Sequence, residues 1–295
     1  MLVALTGGTG FVGRHVIAAL LERGHRVRAL ARDPRRLSAT PDVEAVTADL
    51  ANRAALDALV AGARAVVHLV GIIVESGRQT FQAVHVDGTK RLLDAALAHR
   101  VPRFVHMSAV GARIDPHATR YHQTKGAAED LVRRSGLAAA ILRPSIINGP
   151  GNAPIRTLAR MHRWSPFVPI FGSGRFPMQP VWIDDVAHAF ALAVERTALS
   201  GTFELGGPAR VTYAELVTAI GRACGHPRPL VHVPLALVRL AARACDPLGA
   251  AAPITSDQLR MLVEGSATPE NAIERVFGIS PLALEAGLAR FLTPA

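Results

Sequence analysis

The chain has few lysines, tyrosines and cysteines, although it is rich in positive charge. Of the 33 Lys+Arg residues among 295, only Lys90 and Lys125 are lysines, and the 2 tyrosines are Tyr121 and Tyr213. The 2 cysteines form neither a close pair nor a cluster with histidines, which argues against a disulfide framework and against a zinc site. We therefore expect no metal site, and the rare lysines and tyrosines carry more information than usual about function.

Long apolar runs are also missing. Hydrophobic residues make up 49% of the chain, enough for a large buried core. Arg, Asp, Glu or Gly interrupts every apolar run well before the roughly 18 residues that a membrane-spanning helix needs. The first residues, Met1 to Gly7, lack the charged and apolar regions of a signal peptide. We therefore expect no transmembrane segment and a cytoplasmic protein.

The net charge of +10 does not indicate a nucleic-acid partner. The arginines are spread over nearly every segment and often stand beside an acid, as in Arg32-Asp33 and Glu195-Arg196. A basic tail and a basic-aromatic alternation are both absent from the sequence. A phosphorylated ligand or anionic lipid headgroups are milder interpretations of the same charge.

Short apolar runs alternate with amphipathic stretches of helical length through the first half of the chain. The runs are apolar on both faces, as buried parallel strands are, and they lie at residues 2–6, 26–31, 43–48, 65–70, 104–107 and 138–142. The helical stretches between them lie at residues 12–23, 54–61, 88–99 and 121–134. This order predicts an α/β fold of the Rossmann type, a doubly wound parallel sheet with a smaller C-terminal α/β substrate lobe.

A glycine-rich loop follows the first strand and opens the first helix. Glycines at the spacing G-x-x-G-x-x-G allow a tight turn, a close backbone approach to a pyrophosphate and close packing of the helix on the sheet. In this context the loop predicts dinucleotide binding. The expected contact residues are Gly7, Thr9, Gly10, Phe11, Val12 and Gly13.

The end of the second strand indicates which dinucleotide binds. Arg32 stands where a 2′-phosphate is expected, and Arg35 or Arg36 is placed to assist with a charge-assisted contact. Asp33 supports the competing interpretation, because an acid at this point serves the ribose hydroxyls of NAD. The sequence favours NADP(H) as the cofactor and leaves NAD(H) possible.

The strand–helix alternation stops after Pro144. Prolines and glycines cluster from residue 149 to 180, and a strand–helix unit returns at residues 180–194. We therefore predict an NAD(P)-binding Rossmann domain of residues 1–148 plus about 179–201. Residues from about 149 to 178, together with 202–295, are predicted to form the smaller substrate domain.

One of the two tyrosines lies four residues before one of the two lysines. Tyr121 and Lys125 are then on one face of a predicted helix. A neighbouring ammonium favours the phenolate, so we expect Tyr121 to have a lowered pKa and to act as an acid/base near neutral pH. A chance pair at this spacing has a probability of roughly one in seventy. The pair predicts a catalytic site at the cofactor edge of the sheet.

These motifs together resemble the extended short-chain dehydrogenase/reductase superfamily. The motifs that carry the resemblance are T-G-x-x-G-x-x-G at residues 6–13, Asp49-Leu50, Y-x-x-x-K at 121–125, Arg143-Pro144 and Asp185-Val186-Ala187. Residues 68–72, 179–181, 184–187 and 205–208 resemble an atypical branch that contains the NADPH-binding accessory subunit of respiratory complex I and its bacterial relatives. The motifs cover most of the chain.

The resemblance implies further cofactor contacts. Asp49 is expected at the adenine amino group, with Leu50 beside the ring. Val70 and Gly71 are expected to line the cofactor after the fourth strand. Pro144 is expected near the nicotinamide, and Lys125 at the nicotinamide ribose.

The chain departs from the family pattern at three positions. The serine that polarises the substrate carbonyl aligns with Ala109, while Ser108 lies one position early and is retained as the third catalytic candidate. His85 occupies the position of the family's usual asparagine, and Asn148 that of a usual tyrosine. These departures put classical carbonyl reduction in question.

Three functions follow from these observations. The first is an NADP(H)-dependent oxidoreductase that acts on a carbonyl or hydroxyl group. The second is a non-catalytic NADPH-binding accessory or assembly protein of the respiratory-complex type. The third is a nucleotide-sugar epimerase or dehydratase, for which Arg156, Arg160 and Arg163 are candidate phosphate ligands.

Two apolar stretches bear on the partners. Trp164, Phe167, Phe171 and Phe176 are placed either to line a pocket for a quinone or lipid-like substrate or to pack between domains. Residues 233–244 predict a core helix with arginines on its solvent face, and peripheral membrane contact is the alternative. The identity of the small-molecule substrate stays open.

Overall fold

The computed structural model describes residues 1–37 and 40–292. It contains strands β1 (Leu2–Thr6), β2 (Arg26–Ala31), β3 (Val43–Thr47), β4 (Ala65–His68), β5 (Arg103–Met107), β6 (Ala138–Pro144), β7 (Ile147–Asn148), β8 (Val168–Phe171), β9 (Pro177–Met178), β10 (Val181–Trp182), β11 (Gly201–Leu205), β12 (Val211–Thr212) and β13 (Leu230–Val233). Its helices are α1 (Phe11–Glu22), α2 (Arg53–Val60), α3 (Gly88–Ala98), α4 (Arg120–Arg134), α5 (Ala153–Trp164), α6 (Ile183–Glu195), α7 (Tyr213–Ala223), α8 (Leu235–Cys245), α9 (Ser256–Glu264), α10 (Ala272–Arg275) and α11 (Leu284–Ala289).

The main sheet has seven strands in the order β11-β6-β5-β4-β1-β2-β3. Strands β1 to β6 pair in parallel. Strands β1, β4 and β5 are buried almost throughout, because helices cover both faces of such a sheet. The predicted α/β fold of the Rossmann type is confirmed, and the predicted strands match the observed ones to within a few residues.

The strand order reverses at β1. Chain progress runs from β1 outward through β2 to β3, and then returns to β4 on the other side of β1. Ligands of open α/β sheets bind outside the carboxyl ends of the strands at such a switch point. The loops after β1 and β4 therefore bound the position at which a ligand is expected.

Contacts divide the chain into two compact units. The first unit comprises Met1–Pro144 and Val186–Glu204, and the second comprises Ser145–Asp185 and the described residues from Leu205 onward. The second unit contains three two-stranded sheets, β7 with β10, β9 with β12 and β8 with β13. Whether these units are separate domains, with the boundaries expected from the sequence, stays a prediction.

A buried arginine, Arg103, lies at the start of β5 in the first unit. Arg103 is 1% exposed, and its guanidinium donates to the backbone carbonyls of Ala193, Ala138 and Leu199 at 2.8, 3.2 and 2.7 Å. Burial lowers the pKa of Arg103 to about 10, so it remains charged at neutral pH. Carbonyl partners make this burial tolerable, and they fix the β5–β6 pair against the end of α6.

Helix α8 differs from the expected core helix. Val238 and Ala242 are buried, but most of its other side chains are exposed. In the described residues, no helix is both long enough and apolar enough to cross a membrane.

Candidate functional site

The glycine loop forms a tight turn between β1 and α1. Gly7 has φ +84°, a conformation that favours glycine, and its carbonyl accepts from the Gly10 amide at 3.0 Å. A Cβ on Gly13 would lie 2.1 Å from the Gly7 carbonyl oxygen, so only glycine fits there. Thr9 lies in the turn, and Phe11 and Val12 begin the helix, where free amide groups favour an anion.

The loop after β4 lies against the glycine loop. A Cβ on Gly7 would lie 3.1 Å from the backbone carbon of Leu69 and the backbone nitrogen of Val70. Gly71 follows, and a Cβ there would lie 3.6 Å from His85 Nε2 and 3.7 Å from Lys125 Nζ. The structure therefore brings Val70 and Gly71 together with both the glycine loop and the predicted catalytic lysine.

The turn after β2 contains the residues that bear on the choice between NADP(H) and NAD(H). Asp33 caps a short 3₁₀ helix, Pro34–Arg36, by accepting from the Arg35 amide, and it also accepts from Arg35 Nε at 2.9 Å. These bonds hold the pKa of Asp33 below its usual value. Arg32 and Arg36 are exposed, and within residues 1–37 and 40–292 neither has an ion-pair partner.

The remaining predicted cofactor residues follow the carboxyl ends of other strands. Asp49 is exposed after β3, and its carboxylate accepts from the Ala51 amide at 2.9 Å. Leu50 packs against α3, since a Cβ on Gly88 would lie 2.8 Å from its Cδ1 atom. Pro144 ends β6, and its carbonyl accepts from the Val110 amide at 3.1 Å. All of these positions lie in the first unit.

Tyr121 and Lys125 lie in the first half of α4. Thr119 caps this helix by accepting from the His122 amide. Lys125 is 3% exposed, and its Nζ donates to the Met107 carbonyl at 2.5 Å, which ties α4 to the end of β5. Burial lowers the pKa of Lys125 to about 8, and the nearby Glu129 carboxylate acts in the opposite direction.

Glu129 is a buried acid of α4 whose charge acts on Lys125 and Arg143. Its side chain is fully buried, and both oxygens accept from Arg143 at 2.7 Å. Arg133, one turn later, also donates to it. The Glu129 carboxylate raises the pKa of Arg143. Sequence reasoning missed Glu129, although its position four residues after Lys125 was a usable signal.

A chain of side-chain hydrogen bonds joins the glycine loop to α4. Thr6 Oγ1 lies 2.6 Å from His68 Nδ1, and His68 Nε2 lies 3.0 Å from Thr89 Oγ1. Thr89 donates to the His85 carbonyl, so its oxygen accepts from His68. Burial, and secondarily Lys125, lowers the pKa of His68 to about 3, which keeps it neutral.

His85 is fixed in one tautomer. The Ile72 amide donates to His85 Nε2 at 3.1 Å, so Nδ1 carries the hydrogen and donates to Thr124 Oγ1 at 2.9 Å. Burial and the charge of Lys125 lower the pKa of His85 to about 3. His85 lies in a π-helical segment, Gln82–Asp87, that runs into α3, a feature frequent at functional sites.

Tyr121 is surrounded by rings. The ring centroids of His122, His85 and Phe81 lie 5.4, 5.5 and 6.0 Å from that of Tyr121. Burial raises the pKa of Tyr121 to about 12. The expectation that Lys125 lowers this pKa is wrong for this structure, because burial is the one cause of the shift and it raises the pKa.

Ser108 lies directly after β5. Its amide donates to the Leu142 carbonyl at 2.7 Å, and its side chain is 2% exposed. Among the described residues, the Ser108 hydroxyl has no hydrogen-bond partner. Ala109, the next residue, is half-buried. A catalytic role for Ser108 therefore stays a prediction.

The structure does not bring the four aromatic residues of the loop-rich segment into one pocket. Trp164 is 81% exposed and Phe167 46% exposed. Phe176 packs in the core of α5, α7 and α11, whereas Phe171 packs beside α8. Trp164 instead lines a cleft of about 410 Å³ with three arginines of the second unit, namely Arg156, Arg160 and Arg163.

The residues of the first unit fit a nicotinamide dinucleotide. The cradle around Gly7 and Gly13 leaves no room for a Cβ, as close approach to a pyrophosphate demands. The exposed Arg32 supplies a cation without a competing acid, because Asp33 is engaged by Arg35. Tyr121 supplies a hydroxyl on the helix that carries the buried Lys125 ammonium, about one turn away. This combination is suited to proton transfer coupled to cofactor chemistry.

Two glycine variants separate folding from binding. In Gly13→Ala the loop must shift, so we expect a loss of about 2 kcal/mol in the free energy of unfolding together with weaker NADPH binding. In Gly71→Ala the added methyl meets only ordinary contacts, so stability changes by less than about 0.5 kcal/mol while NADPH binding still weakens. Urea unfolding and NADPH titration measure the two quantities. Equal stability loss in both variants would contradict this reading of the loop.

The buried ammonium predicts a pH dependence of stability. The pKa of Lys125 is about 8 in the folded chain and 10.5 in the unfolded chain, so the unfolded state binds more protons between these values. The free energy of unfolding of the wild type, measured relative to that of Lys125→Met, therefore rises by about 2 kcal/mol from pH 7 to pH 10. Urea unfolding of the cofactor-free proteins measures this difference. A difference that does not change with pH would show that the pKa of Lys125 is not lowered in the folded chain.

Comparisons with known proteins agree with the geometry. A family model described as NAD(P)H-binding matches residues 7–164. A ceramide reductase of Caulobacter vibrioides is 35% identical over 238 residues, which are 79% of this chain and 74% of that protein. Subunit 9 of the Arabidopsis thaliana mitochondrial NADH dehydrogenase [ubiquinone] 1 alpha subcomplex is 28% identical over 226 residues, 73% of this chain and 56% of that protein.

The fold comparison points in the same direction. The solved UDP-glucose 4-epimerase of Thermotoga maritima, determined with UDP-glucose, superposes with a TM-score of 0.76 at 22% identity, over 99% of this chain and 97% of that one. The glycine loop and the Tyr121–Lys125 helix occupy the carboxyl edge of a sheet of the same fold. The chain belongs to the NAD(P)H-binding family, in agreement with the resemblance to short-chain dehydrogenases/reductases that its motifs indicate.

Proposed function

We propose that this protein is an NADP(H)-dependent oxidoreductase that acts on a carbonyl or hydroxyl group. The observation that carries the proposal is the buried Lys125 ammonium. Its Nζ donates to the Met107 carbonyl and lies close to Gly71, and Lys125 belongs to the same helix as Tyr121. Burying a cation costs free energy unless it is paired and hydrogen-bonded, and buried groups with shifted pKa values cluster at functional sites. Lys125 shares helix α4 with the proposed proton donor, Tyr121, and lies close to Gly71 in the loop after β4.

The chain's own residues suffice to bind the cofactor. Backbone amides of the Gly7–Gly13 loop and the start of α1 bind the pyrophosphate, and Arg32 with Arg36 binds the 2′-phosphate. Asp49 and Leu50 flank the adenine, while Val70, Gly71 and Pro144 border the nicotinamide side. Bound nicotinamide supplies or accepts the hydride.

The protonation state of Tyr121 favours the reductive direction. With a pKa of about 12, its hydroxyl is protonated at neutral pH, so it is ready to donate a proton to a substrate oxygen as a carbonyl is reduced. Oxidation of a hydroxyl needs the phenolate and becomes faster as pH rises toward that value. Ser108 is the proposed second donor to the substrate oxygen, conditional on access to its buried hydroxyl.

The substrate we propose is an apolar carbonyl compound. The ceramide reductase relative is named for a lipid, and the arginine cleft of the second unit carries the exposed Trp164. A quinone carries the same reducible group and belongs in the same assay. Nucleotide sugars are the comparison class, because Arg156, Arg160 and Arg163 line one cleft.

The two tyrosines give a matched test of the catalytic proposal. Tyr121→Phe removes the proton donor, so turnover falls by about 100-fold or more. Its NADPH affinity is expected to stay close to that of the wild type, since the phenylalanine ring retains the packing against Phe81, His85 and His122. Tyr213→Phe, on α7 of the second unit, is the control and leaves turnover unchanged. NADPH oxidation with a panel of apolar ketones, aldehydes and quinones is the assay, and full turnover by Tyr121→Phe would refute the proposal.

Cofactor choice is tested at both ends of β2. Arg32→Gln weakens NADPH binding by roughly 10- to 100-fold, since a hydrogen bond to a charged group contributes about 1.5–3 kcal/mol, and leaves NADH binding unchanged. Arg26→Gln, exposed at the other end of the strand, leaves both affinities unchanged. Calorimetric titration measures them, and a wild type that binds NADH more tightly than NADPH would overturn the NADP(H) assignment.

A non-catalytic NADPH-binding accessory role is the second candidate. The burial of Ser108 and the alanine at position 109 favour it, as does the similarity to the mitochondrial NADH dehydrogenase subunit. It predicts tight NADPH retention with no turnover of any substrate in the panel, and cofactor removal that lowers the melting temperature. Turnover that depends on Tyr121 excludes it.

A further inference from the structure

Helix α8 exposes a row of apolar side chains. Leu237 is 58% exposed and Leu240 67% exposed, and Leu248, just beyond the helix, is 58% exposed. Ala241 and Ala244 are also exposed and share the helix face of Leu237 and Leu240, given 3.6 residues per turn. An apolar face of this kind is uncommon on a protein surface and marks an interaction site.

The opposite face of α8 accounts for its folding. Val238 and Ala242 are buried and form a small cluster with Leu259 of α9. Helix α8 is therefore already anchored through one face, and the exposed leucines add nothing to that cluster. The exposed leucines are therefore available for contact with a partner.

Helix α8 itself carries only positive charge. No acidic residue lies between Glu215 and Asp246, while four arginines do, namely Arg222, Arg228, Arg239 and Arg243. Arg239 and Arg243 are exposed, and neither has an ion-pair partner in the described part of the chain. Asp246 is engaged, because its two oxygens accept from the amide and hydroxyl of Ser256 at 2.8 and 2.7 Å.

The arginines also line a cleft. A space of about 390 Å³ between α8 and α9 is bounded by Arg239, Arg243 and Arg260, with Glu264 as its one acid and Leu259 among its apolar lining residues. Guanidinium groups bind phosphates through paired hydrogen bonds. The cleft therefore offers phosphate ligands directly beside the apolar face.

We propose that α8 docks this protein on an anionic phospholipid bilayer. The helix lies in the plane of the interface, Leu237, Leu240 and Leu248 enter the acyl boundary, and Arg239 with Arg243 contacts lipid phosphates. A second copy of the chain fits less well, because a twofold self-contact brings these arginines toward their own counterparts. This surface belongs to the second unit, whereas the residues of the proposed nicotinamide site belong to the first.

Vesicle cosedimentation of the full chain tests the proposal. The probes are vesicles of phosphatidylcholine alone and of phosphatidylcholine mixed with phosphatidylglycerol. The wild type binds the mixed vesicles more tightly, and added salt weakens that binding. Arg239→Gln/Arg243→Gln weakens it roughly 30-fold, whereas Arg64→Gln/Arg78→Gln, which removes the same charge from the first unit, has a small effect.

The apolar contribution has its own variants. Leu237→Gln/Leu240→Gln weakens binding to the mixed vesicles by about tenfold or more, while Ile114→Gln, at a 70% exposed position of the first unit, has no effect. Binding that ignores the leucine variant or the anionic lipid overturns the proposal. So does a wild-type dimer in light scattering that becomes monomeric in Leu237→Gln/Leu240→Gln and binds no vesicles, since that result assigns the face to a second copy.

Discussion

The burial of one ammonium group constrains the candidate site more than any other interaction. Lys125 is held by the Met107 carbonyl, so α4 is fixed to the end of β5. Glu129 supplies the compensating charge and is itself held by Arg143 at the end of β6. The buried histidines His68, His85 and His106 stay neutral, because burial and the charge of Lys125 both lower their pKa values. Tyr121 gains its position from this arrangement, since it shares the helix.

The sequence predicted the parts of the site that depend on local patterns. The strands, the glycine loop and the Tyr121–Lys125 spacing are visible because a parallel strand, a βα turn and a helix face each have their own periodicity. The contacts of His85 were out of reach. They join residues 72, 85 and 124 through a π-helical segment, which single-sequence patterns do not predict. The sequence indicates His85 only through its alignment with the asparagine that is usual in the family.

Electrostatic expectations failed where burial decided the outcome. Sequence spacing indicated a lowered pKa for Tyr121, but the rings of Phe81, His85 and His122 remove the hydration that a phenolate needs. Likewise, the periodicity of α8 predicted a core helix, although the structure buries only a narrow face of it. In both cases the sequence contains the residues, while solvent access depends on tertiary packing. Asp33 illustrates the same limit, since its capping of the Pro34–Arg36 turn and its pairing with Arg35 leave Arg32 and Arg36 as exposed charges.

The proposed function requires a nicotinamide dinucleotide at the carboxyl edge of the sheet, with its 2′-phosphate on Arg32. Native mass spectrometry of the wild-type protein, incubated with equal amounts of NADPH and NADH, tests this directly. We expect one bound NADPH per chain and little NADH. A chain that binds neither nucleotide, or that binds NADH in preference, would contradict it.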